Sequence, residues 1–240
     1  MANFNWKGTT VKKINLFLGI CLALPVLAAA CGQGTGPAVQ VNGEVGVSSA
    51  VALTEARIDG VVGSMDIMAV TDEVVSAEWD SMVNILTEFE ETSIPLVAWF
   101  ALPDGSYYTV DAGKVSANIS DRAYFPKVMA GETVIGNLVV SKSTGRDVMV
   151  AVVPVMSGGD VIGALGVSVY LDQLSQLIAD DMELPDDMVL YAVNGDGLIA
   201  LHSDANLIME DSSALGGGPE QAVSKVSSLL GWTFTLGLIE

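Results

Sequence analysis

The chain has 240 residues, half of them hydrophobic, and sets ten Lys+Arg against 29 Asp+Glu for a net charge of −19. So little basic charge excludes nucleic-acid binding, which needs clustered Lys and Arg to neutralise phosphates. The length allows one large or two small domains once a targeting segment is set aside, with enough apolar residues for a packed core.

Lys7, Lys12 and Lys13 form a basic opening, Ile14 to Val26 an apolar stretch and Ala28-Ala29-Ala30 a small-residue cleavage region. These are the three parts of an export signal. The uncharged run from Ile14 to Ala30 holds 17 residues and is interrupted by Pro25, which is short for a membrane span of roughly 20 residues. Cys31 directly follows the small residues and precedes Gly32, a spacing that resembles a bacterial-type lipoprotein signal. The resemblance implies that Cys31 is lipidated and becomes the first residue of the mature chain, although Ala28 stands where that pattern usually has leucine. An ordinary signal or an uncleaved anchor is the alternative. Beyond Cys31, seven basic residues face all 29 acids, a net of −22, and no cysteine remains. Structural disulfides, zinc–thiolate sites and a cysteine nucleophile are thereby excluded downstream. No second hydrophobic segment of spanning length follows. The expectation is an extracytoplasmic protein, held to a membrane by its lipid and without an output domain of its own.

Residues 32–48 are rich in glycine and small polar residues and read as a flexible tether. From 49 to 93 the periodicity is helical: Val51, Ile58, Val62, Met65, Met68, Val75, Trp79, Met82, Leu86 and Phe89 recur at three-, four- and seven-residue steps. Pro95 disfavours continuation, and Gly60 and Gly63 place a kink or break mid-helix. The methionines on this stripe read as core packing rather than a cofactor site.

Residues 94–178 turn β-rich. Leu96 to Leu102 and Tyr107 to Asp111 flank the hairpin signal Pro103-Asp104-Gly105-Ser106. A short helix is predicted from Ser120 to Met129, then strands over Val134 to Ser141, Asp147 to Met156 and Val161 to Tyr170. The order gives an α+β domain with an antiparallel sheet of about five strands. Leu171 to Asp180 returns to helical spacing. In 179–240, a smaller α+β lobe, Met188 to Val193 and Leu198 to His202 flank Asn194-Gly195-Asp196-Gly197. Glu220 to Leu230 is predicted as a helix and Trp232 to Ile239 as a closing strand.

Ser120-Asp121-Arg122-Ala123-Tyr124-Phe125 resembles the sDRxYF motif of Cache sensor domains. Ser141 to Gly145, Val153-Pro154-Val155, Gly158-Gly159, Gly163, Gly166 and Leu171 with Leu174 keep that family's order. The tail run from Tyr191 to Asp204, with Gly231-Trp232-Thr233, resembles the membrane-proximal lobe of double-Cache proteins. The resemblance implies a PAS-like distal lobe over 94–178 that grips a small molecule, often an organic acid or amino acid, and reports to a chemoreceptor or sensor kinase. It implies Arg122 as the group pairing an anion, with Tyr124 and Phe125 as an aromatic wall. A guanidinium suits that role because its fixed fork of donors matches a carboxylate; a structural ion pair with one of the many acids is the alternative. Trp99, Tyr107, Tyr108, Ser141 and Lys142 are further pocket candidates from position. Amino-acid-sensing relatives usually carry an aspartate in the last strand of the lobe, where this chain has Ser168. A simple carboxylate is therefore expected over an α-amino acid, unless Asp111 or Asp160 substitutes.

The residues favour no enzyme. The one histidine, His202, sits consecutively with Ser203 and Asp204, a poor arrangement for a triad whose members converge from separate elements. One His and no downstream Cys argue against the common zinc sites. The acidic run from Asp180 to Asp187 lacks calcium-loop spacing, and Gly216-Gly217-Gly218 lacks the Lys-Ser/Thr of a phosphate loop. No metal and no cofactor are expected. The expected function is extracytoplasmic binding of a small carboxylate, with a separate receptor or kinase as possible partner. The rival is a surface module without a ligand.

Overall fold

A computed structural model describes residues 42–239. The export signal, Cys31 and most of the predicted tether lie outside the described residues. The chain runs α1 (Gly43–Met68), α2 (Asp72–Val75), α3 (Trp79–Thr92), β1 (Leu96–Ala101), β2 (Ser106–Thr109), β3 (Gly113–Asn118), α4 (Phe125–Met129), β4 (Val134–Val140), β5 (Asp147–Ser157) and β6 (Asp160–Tyr170). It continues through α5 (Leu171–Asp181), β7 (Met188–Val193), β8 (Ile199–His202), two 3-10 turns, β9 (Glu220–Val226) and β10 (Thr233–Leu238). The α+β class with an N-terminal helix and antiparallel sheets is as expected.

Helix α1 starts inside the stretch predicted as tether, where the Asn42 side chain accepts from the Glu44 N–H at 3.0 Å. This satisfies one of the orphan donors at the helix start. The predicted break at Gly60 and Gly63 is absent, and the helix runs on to Met68. A mid-helix glycine costs only about 1 kcal/mol, less than the gain from burying Ile58, Val61, Val62 and Met65 around it. The break comes instead between Met68 and Trp79, where Ala77 takes φ +55°.

The larger sheet has six strands in the order β3-β2-β1-β6-β5-β4, every neighbouring pair antiparallel. About five were expected, and β3 was missed. Its sequence, Gly-Lys-Val-Ser-Ala-Asn, is a half-exposed edge with little apolar alternation. One face of the sheet (Leu96, Ala98, Phe100, Met149, Ala151, Val167) joins the main core under α1, α3 and α5. The opposite face builds a second apolar cluster around Trp99, Tyr107, Tyr124, Phe125, Val150 and Val152. With both faces covered, the central strands are nearly continuous apolar runs.

The smaller sheet is ordered β8-β7-β10-β9. Residues 220–226, predicted as the start of a helix, form its edge strand β9. Glu, Gln, Ala and Lys favour helix intrinsically, but pairing along β10 and packing against α1 override that preference. Helix α1 packs on β9 and β10 as well as on β5, so one core joins both sheets. Glu55 of α1 fastens this junction. Its carboxylate accepts from Ser227 Oγ (2.8 Å), Ser228 Oγ (3.2 Å) and the Leu229 N–H (3.1 Å). These bonds, led by the Leu229 N–H, hold its pKa below the ordinary range.

Candidate functional site

The second face of the larger sheet carries the candidate site. Register places Val97, Ser168 and Val150 abreast on β1, β6 and β5, with Trp99, Gly166 and Val152 one step along. The Trp99 ring lies over β6 at Gly166, where a Cβ would come 2.2 Å from the indole. Only glycine permits that approach. The indole Nε1–H donates to Ser168 Oγ at 3.2 Å. Tyr107 meets Trp99 edge-on at 6.4 Å between ring centroids, and Tyr124 meets it at 6.2 Å.

Two turns close over this aromatic floor. The segment after β3 is tied by Arg122 N–H to Ile119 C=O (3.0 Å) and Phe125 N–H to Arg122 C=O (2.9 Å). The predicted helix from Ser120 is therefore a turn until Phe125, and the turn presents Arg122 and Tyr124 toward the sheet. The β4–β5 turn brings Ser141, Lys142 and Ser143, with Ser141 and Ser143 hydroxyls 3.1 Å apart. Between them lies a cavity of about 20 Å³, room for one water. Among the described residues no Asp or Glu lines it, whereas Arg122 and Lys142 both do.

Both cations are partly committed. Arg122 Nη2 donates to the Val140 C=O at 2.5 Å, bridging the two turns. Lys142 Nζ donates to the Asn118 C=O at 2.7 Å and pairs with Asp121 at 2.6 and 2.7 Å. The Lys142 hydrogen bonds hold the Asp121 carboxyl below its usual range. Burial pushes the Tyr124 phenol up to about 12, against the lowering effect of the Arg122 charge. Tyr107 is raised by burial too, opposed by Ser143 and Arg122. Both hydroxyls stay protonated at neutral pH, so the lining offers donors: guanidinium, ammonium, phenols, serine hydroxyls.

Trp99, Arg122, Tyr124, Ser141, Lys142 and Ser168 all meet at this cavity. Phe125 does not line it; it packs in the apolar cluster alongside. Tyr108 points to the other side of its strand, stacked on Trp79 at 5.3 Å. A strand alternates its side chains between faces, so adjacent Tyr107 and Tyr108 cannot share a pocket. Asp111 lies in the β2–β3 turn and Asp160 at the start of β6, and neither lines the cavity. Sequence reasoning missed Ile119, Val139, Ser143 and Val150; alternation along the strands from Trp99 and Ser168 could have found the valines. Among the described residues no group of three His, Cys, Asp or Glu is placed to hold a metal ion. His202 spends Nδ1 on the Asp204 N–H at 2.9 Å rather than on Ser203.

No protein-family model matches the sequence. Among curated proteins, a methyl-accepting chemotaxis protein, PscA of Pseudomonas syringae pv. tomato, is 25% identical over 118 residues, 48% of this chain. The match spans only 19% of that protein's length. Solved structures align far more fully. The ligand-binding domain of the Pseudomonas aeruginosa amino-acid chemoreceptor PctC, in complex with GABA, aligns over 82% of this chain and 95% of its own. Its TM-score is 0.63 at 17% identity. That of the Pseudomonas fluorescens chemoreceptor CtaA with L-valine gives 0.66 at 13% identity over the same shares. The fold is that of a chemoreceptor ligand-binding domain. In this chemoreceptor-type fold the Arg122 cavity lies in the larger, six-stranded part, and the four-stranded sheet forms the smaller one.

Proposed function

We propose that the protein is an extracytoplasmic sensing or binding module that holds a small carboxylate in the Arg122 cavity. One observation carries this reading. In a chain with 29 acids, two cationic side chains converge on a small donor-rich cavity that no carboxylate among the described residues lines. An anion there meets the guanidinium fork, the Lys142 ammonium and phenolic O–H donors over a buried aromatic floor. GABA and L-valine, named with the two solved relatives, both carry a carboxylate. Ser168, occupied by the Trp99 indole, offers no charge to an ammonium group. A carboxylate without an α-amino group is therefore favoured.

A ligand needs more than the space of one water. Binding then requires the two turns to part, exchanging the Lys142–Asp121 and Arg122–Val140 contacts for contacts with the ligand. Calorimetric titration of the full chain with acetate, succinate, malate, γ-aminobutyrate and valine tests the reading. At least one carboxylate should bind, and Arg122→Ala should weaken it by at least about tenfold, the loss of a charge-assisted hydrogen-bond partner. Binding that survives Arg122→Ala unchanged refutes the site. The tightness of the cavity also supports a second reading, a surface module that uses the fold without a ligand; no response to any of the five compounds would favour it.

The proposed anchor is separate. Fatty-acid-analogue labelling should disappear in Cys31→Ser. Among the described residues no helix is long and apolar enough to cross a membrane.

A further inference from the structure

The smaller sheet carries a second pocket, on the face turned away from the main core. Leu190, Ala192, Leu201, Phe234 and Leu236 point inward to that core, so the alternate positions, Val189, Tyr191 and His202, face outward. The segment between β8 and β9 folds back over them. It is held at the β8 end by Ile199 N–H to Glu210 C=O (2.9 Å) and Met209 N–H to Ile199 C=O (2.8 Å). At its other end Pro219 rests on β10 at Gly237, where a Cβ would stand 2.7 Å from the proline ring. Between sheet and segment is a pocket of about 370 Å³, within the size range of small-molecule sites.

Its chemistry differs from that of the Arg122 cavity. Among the described residues no charged side chain lines it; Val189, Leu215, Pro219 and Leu238 give apolar walls. Tyr191 and His202, paired across β7 and β8, present near-parallel rings with centroids 6.2 Å apart and 26° between planes. Because His202 Nδ1 accepts the Asp204 N–H, the neutral imidazole carries its proton on Nε2. Nε2 has no protein partner among the described residues. Burial, opposed by the charge of Asp204, lowers the imidazole pKa and keeps the ring neutral at neutral pH.

We propose that this pocket is a second binding site, for an uncharged flat ring compound that accepts a hydrogen bond. Charge is excluded because neither a carboxylate nor an ammonium group would find an ionic partner in the lining, and desolvating it there would be unfavourable. A flat ring is selected by the Tyr191 and His202 rings, and the acceptor meets His202 Nε2–H. The site is distinct from the Arg122 cavity and does not depend on its ligand.

Ligand-observed saturation-transfer NMR on the full chain tests this with nicotinamide, an uncharged ring with two acceptors, against nicotinate, the same ring bearing a carboxylate. A probe of about nine non-hydrogen atoms binds in the millimolar to micromolar range, which this method detects. Nicotinamide should bind, and nicotinate should bind at least about tenfold more weakly. Tyr191→Ala should weaken nicotinamide about tenfold. Leu215→Trp should abolish its binding by filling the pocket from the rim, away from the sheet core, which keeps the test valid if Tyr191→Ala unfolds. Arg122→Ala should leave nicotinamide binding unchanged. The proposal is overturned if nicotinamide does not bind, if nicotinate binds equally well, if folded Leu215→Trp still binds, or if Arg122→Ala removes binding.

Discussion

The Tyr124 hydroxyl allows a quantitative test of how closed the Arg122 cavity is. Tyr124 is 4% exposed, and burial raises its phenol from 10.0 to about 12. Between those two pH values the unfolded chain has released the phenolic proton and the folded chain has kept it. The folded state then binds more protons, so stability falls as pH rises through the window; the contribution is fully present below pH 10 and lost above about 12. Two pKa units correspond to about 2.7 kcal/mol, of which about 1.4 kcal/mol is lost by pH 11. Urea denaturation of the wild type and Tyr124→Phe at pH 8 and pH 11 isolates this amount, since every other titrating group, Tyr107 included, is common to both. The wild type should lose about 1.4 kcal/mol more than the variant over that interval. Tyrosinate absorbance should show the last of the five tyrosines ionising late in the wild type and that phase missing in Tyr124→Phe. Identical pH dependence in the two proteins would mean that the phenol is already in contact with solvent and the cavity is open.

Other perturbations have equally defined outcomes. Asp121→Asn releases Lys142 from its carboxylate partner and should tighten binding of whichever carboxylate titrates, with a weaker response at high salt. Gly166→Ala sets a methyl group 2.2 Å from the Trp99 indole; displacing that ring should cost about 1–3 kcal/mol in urea denaturation and disturb the cavity floor. Glu55→Ala removes the acceptor of three hydrogen bonds and should lower stability by about 1–2 kcal/mol, reduced by its partial exposure. Because the Glu55 pKa is depressed, that contribution is present above about pH 4.5 and disappears on further acidification; wild type and Glu55→Ala should converge in acid.

The residues on strands and turns of the larger sheet were largely legible because apolar runs and glycine-bearing turns fix both strand and register. Trp99 and Ser168 share a face through that register. The motif from Ser120 to Phe125 drew attention to Arg122 and Tyr124, which the fold does bring beside Ser141 and Lys142. What a linear motif cannot convey is direction: Phe125 follows Tyr124 in sequence but turns into the apolar cluster, and Tyr108 follows Tyr107 onto the opposite face. The glycines of α1 misled because local propensity was weighed without the buried surface around them. Residues 220–226 misled for the same reason in reverse, a helix-forming composition drawn into a sheet by its neighbour β10.

That composition has a consequence for how the molecule behaves among other extended chains. Strand β9 is the outer edge of the four-stranded sheet, and an edge offers unpaired backbone groups to any other extended chain. Its sequence, Glu-Gln-Ala-Val-Ser-Lys-Val, is a poor template for such pairing. Charges stand at Glu220 and Lys225, Gln221 takes φ +49°, and the ladder to β10 is irregular near Leu236. Val226, 61% exposed, is the one large apolar side chain it leaves bare. The residues that disguise β9 as a helix are thus the ones that guard against strand-to-strand aggregation, and replacing Glu220 and Lys225 with valine should promote self-association.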